Sequence, residues 1–123
     1  MIPFGPLPGA VQPAASDGYI DVLKLEELPP GTQKSVAYGF RRVLLCHVSG
    51  AIHAVADLCP HALQPLAGSE ISDGVIRCAR HGALFDLATG RPQNGVTPKA
   101  LRVYPVRIRE GRIQISVAEP AGT

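Results

Sequence analysis

The sequence predicts an all-β protein, and three observations lead to that prediction. From Tyr19 onward, short apolar or alternating runs are separated by turn residues, which is the pattern of half-buried strands. The pairs Ser49-Gly50 and Glu110-Gly111 have the composition of hairpin turns, and Pro29-Pro30-Gly31 breaks the chain between the first two runs. The chain shows neither a long helical period nor an internal repeat.

The elements follow in chain order. The first strand is expected to end at a single helical turn over 26–28, and the next three strands are separated by turns of which Ser49-Gly50 is the clearest. Two short strands then flank the second cysteine segment, and the Glu110-Gly111 turn divides the last pair of strands. The predicted strands cover residues 19–25, 33–38, 41–48, 51–56, 74–78, 83–86, 101–108 and 112–117.

Composition and charge limit the classes of function. The chain has 123 residues, of which 46% are hydrophobic, and this suits one small domain with one core. Twelve basic and ten acidic side chains are dispersed and give a net charge of +2, which argues against a nucleic-acid-binding protein. Residues 1–16 carry four prolines, two glycines and no charge, so we predict an N-terminal tail followed by a domain over 17–123.

The N-terminal segment also bears on location. It lacks the charged-then-apolar order of a signal peptide, and its prolines interrupt every apolar run. A membrane-spanning helix needs about 20 consecutive apolar residues. The sequence therefore predicts a protein without a membrane anchor, and the cytoplasm is the expected compartment.

Two short segments combine a cysteine with a histidine, and they carry the functional prediction. The segments are Cys59-Pro60-His61 and Cys78-Ala79-Arg80-His81. In a Rieske [2Fe–2S] centre two thiolates hold one iron and two imidazoles hold the other, so each mixed pair supplies one ligand to each iron. We therefore predict that Cys59, His61, Cys78 and His81 bind one [2Fe–2S] cluster.

Two other chemistries use the same residue types. Two cysteines and two histidines also satisfy tetrahedral zinc, but zinc sites generally pair cysteine with cysteine and histidine with histidine. A cysteine–histidine hydrolase normally has its nucleophile and base far apart in sequence, so it would leave the two adjacent cysteine–histidine pairs unexplained. Cys46 lies in the apolar run 43–46 and is expected to be a buried thiol outside the site. His47 and His53 flank the Ser49-Gly50 turn and are interpreted as ordinary strand histidines.

The chain resembles the Rieske-type ferredoxins of bacterial aromatic-ring-hydroxylating dioxygenase systems, over nearly its whole length after residue 16. Besides the two ligand segments, the resemblance rests on 74–78, on 81–86 with Thr89-Gly90, and on 101–104. It implies the Rieske fold, a small antiparallel β-sandwich with a cluster-binding subdomain at one end. It also implies a third, proline-containing loop beside the cluster, around Val96-Thr97-Pro98.

The resemblance implies a function as well. Such ferredoxins are soluble one-electron carriers that pass electrons from a flavin-dependent NAD(P)H reductase to a terminal Rieske non-heme iron oxygenase. The chain would then have no substrate chemistry of its own, and both partners would dock transiently near His61 and His81. Two alternatives remain at this point: a Rieske small subunit of a larger redox enzyme, similar to nitrite reductase, and a zinc-stabilised interaction module. An intact oxygenase is not expected, because 123 residues leave no room for a catalytic iron domain.

Two departures from related families have expected consequences. The Rieske proteins of cytochrome complexes present serine and tyrosine hydroxyls to the cluster sulfurs, at positions that match Ala83 and Phe85 here. They also carry a cross-linking cysteine in each ligand loop, where this chain has Gln64 and Arg80. Without the hydroxyl donors, the reduction potential is expected near the low end of the Rieske range. An apolar collar is expected around the loops, either for docking or as core, formed by Leu63, Pro65, Leu66, Leu84 and Pro98.

Overall fold

In the part of the chain that the structure describes, ten strands form three antiparallel sheets. The computed structural model describes residues 18–60, 64–79 and 82–117. The strands are β1 (Tyr19–Lys24), β2 (Gln33–Tyr38), β3 (Arg41–Val48), β4 (Ala51–Ala56), β5 (Ile71–Ser72), β6 (Val75–Arg77), β7 (Leu84–Asp86), β8 (Val103–Tyr104), β9 (Val106–Arg109) and β10 (Arg112–Ser116). The predicted helical turn is a 3-10 turn over Leu25–Glu27, one residue earlier than expected. The all-β prediction is confirmed.

The four-stranded sheet, in the order β2-β3-β4-β8, lies between the other two and is called the central sheet. The outer sheets are the first sheet, β1-β10-β9, and the small sheet, β5-β6-β7. Val43 and Leu45 pack in one core with residues of the first sheet. Leu44 and Cys46 pack in a second core with residues of the small sheet. Because successive side chains of a strand point to opposite faces, β3 is buried on both faces, which explains its unbroken apolar run.

One predicted strand is wrong in its extent. Residues 101–108 were expected to form a single strand, but β8 pairs with β4 in the central sheet and β9 pairs with β10 in the first sheet. Pro105 separates them, and a proline has no N–H to continue a ladder. The chain therefore changes sheets at this residue. The predicted tail over 1–16 lies outside the described residues, and within the described ranges no helix is long and apolar enough to cross a membrane.

Candidate metal centre

The structure brings the two predicted cysteine ligands into one core. Cys59 follows β4 and Cys78 follows β6 directly, and both belong to the apolar cluster between the central and small sheets. Their side chains are 0% and 1% exposed. No disulfide links the three cysteines, all of which the structure describes. The two predicted histidine ligands, His61 and His81, lie outside the described residues.

Both cysteines begin a loop that closes in the same way. The Cys59 N–H donates to the carbonyl of Gln64 at 2.8 Å, and the Cys78 N–H donates to the carbonyl of Ala83 at 2.8 Å. We call residues 59–64 the first ligand loop and residues 78–83 the second ligand loop. Gly82 has a φ of +73° and donates its N–H to the Cys78 carbonyl at 2.9 Å, so it turns the second loop in a conformation that favours glycine.

Asp57, which the sequence analysis missed, joins the entry of the first ligand loop to its exit. This carboxylate is 1% exposed, and its Oδ1 accepts the N–H groups of Leu66 at 2.7 Å and Ala67 at 2.8 Å. Its Oδ2 accepts the hydroxyl of Ser35 at 2.7 Å and lies 3.8 Å from Nε of Arg42. An acidic residue within the apolar run 54–58 was the available sequence signal.

Gln33 holds the next two residues of the same segment. Its Oε1 accepts the N–H of Gly68 at 2.7 Å, and its Nε2 donates to the carbonyl of Ser69 at 2.9 Å. The side-chain amide therefore takes the place of a neighbouring strand. Residues 66–69, here called the return arm, are attached to the central sheet through side chains of β2 and through Asp57.

The second ligand loop is also held by a side chain from outside it, in the loop that contains Asn94 and Val96. Asn94 Nδ2 donates to the Gly82 carbonyl at 2.8 Å, and Asn94 Oδ1 accepts the Leu84 N–H at 3.3 Å. Val96 packs against the core that contains Cys59 and Cys78. The proline-containing loop that the resemblance implies is therefore in contact with the second ligand loop and with the core of the site.

These features fit a [2Fe–2S] cluster of the Rieske type. Such a cluster needs two thiolates from separate loops, and Cys59 and Cys78 meet that need in one buried region. In the ranges that the structure describes, no group of three or more histidine, cysteine or acidic side chains is placed to hold a metal. The two described cysteines thus form half of the predicted ligand set.

The remaining histidines are not a metal pair. His47 lies opposite Ile52 and His53 lies opposite Cys46 in the β3–β4 ladder. Because neighbouring positions of a strand alternate, the two imidazoles point to opposite faces of the central sheet. His47 Nδ1 is hydrogen-bonded to the Leu28 carbonyl at 2.8 Å, which accounts for it structurally.

The expected apolar collar is not one surface. Leu66 is 0% exposed and belongs to the core with both cysteines. Leu84 is half-buried, whereas Pro65 and Pro98 are exposed. Leu63 lies outside the described residues. Of the two roles left open for Leu66, docking surface or core, its burial favours the core. Among the described collar residues, Pro65 and Pro98 are exposed.

Cys46 is a buried thiol, as predicted. Burial and, to a smaller extent, the negative charge of Asp57 raise the pKa of Cys46 from 9.0 to about 12. A thiolate at this position is therefore disfavoured, as expected for a thiol in the middle of a buried strand.

This pKa predicts an alkaline loss of stability. The unfolded chain releases the Cys46 proton near pH 9, whereas the folded chain keeps it until about pH 12, so the free energy of unfolding falls as pH rises between these values. Between pH 8 and pH 10 the loss due to Cys46 is about 1.4 kcal/mol. Urea denaturation at pH 8 and pH 10 measures the free energy of unfolding of the native chain and of Cys46→Ala. The decrease between the two pH values should be larger in the native chain by that amount. Equal losses in the two proteins would contradict the raised pKa.

Two cysteines buried in one core of an all-β fold suit a metalloprotein with thiolate ligands, and comparison with known proteins identifies the family. Residues 18–105 match the family model of the Rieske [2Fe-2S] domain. The chain therefore belongs to the Rieske family.

Three known proteins place the chain within that family. It is 33% identical to the 3-phenylpropionate/cinnamic acid dioxygenase ferredoxin subunit of Photorhabdus laumondii, over 80% of this chain and 93% of that protein. It is 31% identical to mouse apoptosis-inducing factor 3, over 81% of this chain, but it spans only 16% of that protein's length. A solved complex of reduced oxygenase and oxidized ferredoxin in carbazole 1,9a-dioxygenase contains a chain of the same fold. Its TM-score is 0.77 at 24% identity, covering 85% of this chain and 98% of that one.

Proposed function

We propose that this chain is a one-electron carrier that holds one [2Fe–2S] cluster through Cys59, His61, Cys78 and His81. The observation that carries the proposal is the burial of Cys59 and Cys78 in one core, at the starts of two loops with the same closing hydrogen bond. When bound, the cluster supplies reversible one-electron transfer. The protein supplies the thiolates, excludes water from them with apolar side chains, and fixes the loops against two sheets. The domain boundary at residue 17 is part of this proposal.

The partners in this proposal are a flavin-dependent NAD(P)H reductase, which donates the electron, and a terminal Rieske non-heme iron oxygenase, which accepts it. Support comes from the relative that is named as a dioxygenase ferredoxin subunit. The exposed residues Pro65 and Pro98 flank the site and suit the small interfaces of transient redox encounters near His61 and His81. The chain itself would transform no substrate. We place it in the cytoplasm, where cysteines without disulfides are usual.

A second candidate is a Rieske unit that works as part of a larger redox protein or complex. The observation that favours it is that the chain matches only 16% of the length of mouse apoptosis-inducing factor 3. Purification of the chain from its own cells at low ionic strength separates the two functions. A carrier elutes alone at the size of one domain, whereas a permanent subunit elutes with a fixed amount of a larger redox protein.

The test of the proposed cluster is low-temperature EPR before and after dithionite reduction, with iron and acid-labile sulfide analysis. We expect a rhombic signal in the reduced protein only, with an average g below the free-electron value, and two irons and two sulfides per chain. A colourless, EPR-silent protein with one zinc per chain would replace the carrier by a zinc-stabilised interaction module.

The reduction potential should lie near the low end of the Rieske range, roughly −150 mV. Ala83 ends the second ligand loop and Phe85 follows it in β7; both are fully buried, and neither has a hydroxyl to stabilise negative charge on the reduced cluster. A dye-mediated redox titration measures the midpoint. Ala83→Ser adds one hydroxyl at this position and should shift the midpoint to a more positive value. A native midpoint well above 0 mV would contradict this expectation.

A further inference from the structure

We propose that Asp57 is a positioning residue that fixes the first ligand loop, with Gln33 and Ser35 as its supports. The proposal rests on the proposed function, because it assigns to these side chains the task of holding Cys59 in the geometry that the cluster requires. None of the three residues is a ligand in that function. Their contacts are with the backbone on either side of the loop.

The return arm lies outside the ten strands, yet consecutive backbone groups in it are bonded to side chains. The N–H groups of residues 66 and 67 go to Asp57, and the N–H of residue 68 and the carbonyl of residue 69 go to Gln33. All these hydrogen bonds are 2.7 to 2.9 Å long. Gln33 and Ser35 are two positions apart on β2 and so share one face of the central sheet. The arm is therefore held against that face of the central sheet by side chains rather than by strand pairing.

Asp57 also fixes the entry to the loop. Its own N–H donates to the Arg42 carbonyl at 2.9 Å, which extends the β3–β4 ladder to within two residues of Cys59. The Ser35 hydroxyl and the Arg42 side chain both approach Oδ2, so Oδ1 is directed to the return arm. One side chain thus connects the backbone before Cys59 to the backbone after Gln64. A charged acceptor makes such hydrogen bonds stronger than a neutral one does.

This connection has a specific task, because Gln64 and Arg80 stand at the positions where the cytochrome-complex Rieske proteins carry the cysteines that cross-link their two ligand loops. The distance between the two predicted thiolate ligands therefore depends on non-covalent contacts of each loop. Side chains that orient metal ligands through hydrogen bonds change metal affinity by about 10-fold to 100-fold when they are removed.

The experiment compares Asp57→Ala and Asp57→Asn with Asp21→Ala. Asp21 is a control in another sheet, since its Oδ1 accepts a hydrogen bond from Gln114 and its Oδ2 lies 3.8 Å from Nε of Arg112, as Asp57 Oδ2 lies from Arg42. The Asp21 side chain is 45% exposed and that of Asp57 is 0% exposed, so Asp57→Asn is the control for the buried position itself. Asp21 belongs to the first sheet, which is away from the core with the two cysteines. The readouts are the rate of cluster bleaching in the presence of an iron chelator and the EPR linewidths of the reduced protein.

We expect Asp57→Ala to bleach at least about tenfold faster than the native protein and to broaden the EPR lines. Asp57→Asn keeps an oxygen that accepts both N–H groups, so its bleaching rate should stay within about threefold of the native rate. Asp21→Ala should keep the native linewidths. A broadened spectrum with rescue by asparagine distinguishes positioning from a general loss of stability.

The proposal is overturned if Asp57→Ala bleaches no faster than Asp21→Ala and keeps the native EPR spectrum. If Asp57→Ala does not fold, Ser35→Ala and Gln33→Ala take its place, with bleaching about threefold faster expected. Native rates and linewidths in both would also overturn it. A native protein that binds no iron refutes the proposed function itself, and that result is distinct from each of these outcomes.

Discussion

Cys59→Ser is expected to abolish the cluster completely. In the proposed ligand set Cys59 would bind iron as a thiolate, and a serine hydroxyl keeps its proton at neutral pH, so the substitution would remove one of the two thiolate ligands. The side chain is fully buried and no second thiol lies within the first ligand loop, so a replacement ligand is not at hand. Iron and sulfide should fall below about a tenth of the native content, and the reduced-state EPR signal should vanish.

Cys46→Ala is the control for this result. Cys46 is equally buried and belongs to the same core, but it lies in the middle of β3 and its raised pKa keeps it protonated. The variant should therefore retain two irons per chain, at a modest loss of stability for a removed core atom. Retention of the cluster in Cys59→Ser, or its loss from folded Cys46→Ala, would contradict the assigned ligand set. Circular dichroism of both variants establishes that each is folded.

The strands that the sequence predicted best are those with clear ends. The bounds of β2, β3 and β4 agree with the expectation, because alternating runs are closed there by turn residues such as Ser49 and Gly50. Ser49 and Gly50 both have positive φ, which a hairpin of this type requires. β5 has only two residues, too few for any period to be visible. In the run 101–108 the apolar pattern predicts one strand. Pro105 ends that strand, because its nitrogen has no hydrogen to donate to the ladder.

The two candidate cysteine ligands are visible in the sequence, but the side chains that hold their loops are not. A ligand spacing is local, so it is visible in a few residues of sequence. The Asp57 carboxylate is hydrogen-bonded to the N–H of Ala67, ten residues along the chain. The Gln33 amide is hydrogen-bonded to the carbonyl of Ser69, thirty-six residues along the chain. These partners are adjacent only after the return arm has folded onto β2. A polar residue in a strand pattern does not reveal which distant backbone groups it will satisfy.

For the apolar collar residues, too, the sequence could not predict which side chains are buried. Pro65 and Leu66 are neighbours of similar polarity, yet one is exposed and the other fully buried. In a strand the period of two assigns each side chain to a face, but an irregular loop has no such period. The sequence therefore left Leu66 open to two interpretations that predict opposite results for one substitution.

Leu66→Asp is expected to unfold the domain and to release the cluster with it. The substitution removes a fully buried leucine from the core with Cys59 and Cys78, and it places a carboxylate beside Asp57, which already accepts the residue 66 N–H at 2.7 Å. Loss of the apolar contacts alone costs about 2 to 5 kcal/mol, and the unpaired buried carboxylate adds to it. Most domains of this size have about 5 to 15 kcal/mol of stability, so little or none should remain. Urea denaturation and visible absorbance measure both effects.

Pro65→Asp separates core packing from docking, because it introduces the same charge one residue away at an exposed position. This variant should keep its cluster and its free energy of unfolding to within about 0.5 kcal/mol, as most surface substitutions do. If Pro65→Asp changes anything, it should be the rate of electron transfer to or from a partner, because the added charge lies at the surface. The opposite pattern, with Leu66→Asp folded and loaded but slow in transfer, would restore Leu66 to the docking surface. Burial of Leu66 in the core with both cysteines makes loss of the fold the expected result, because a charge there has no route to water that leaves the core intact.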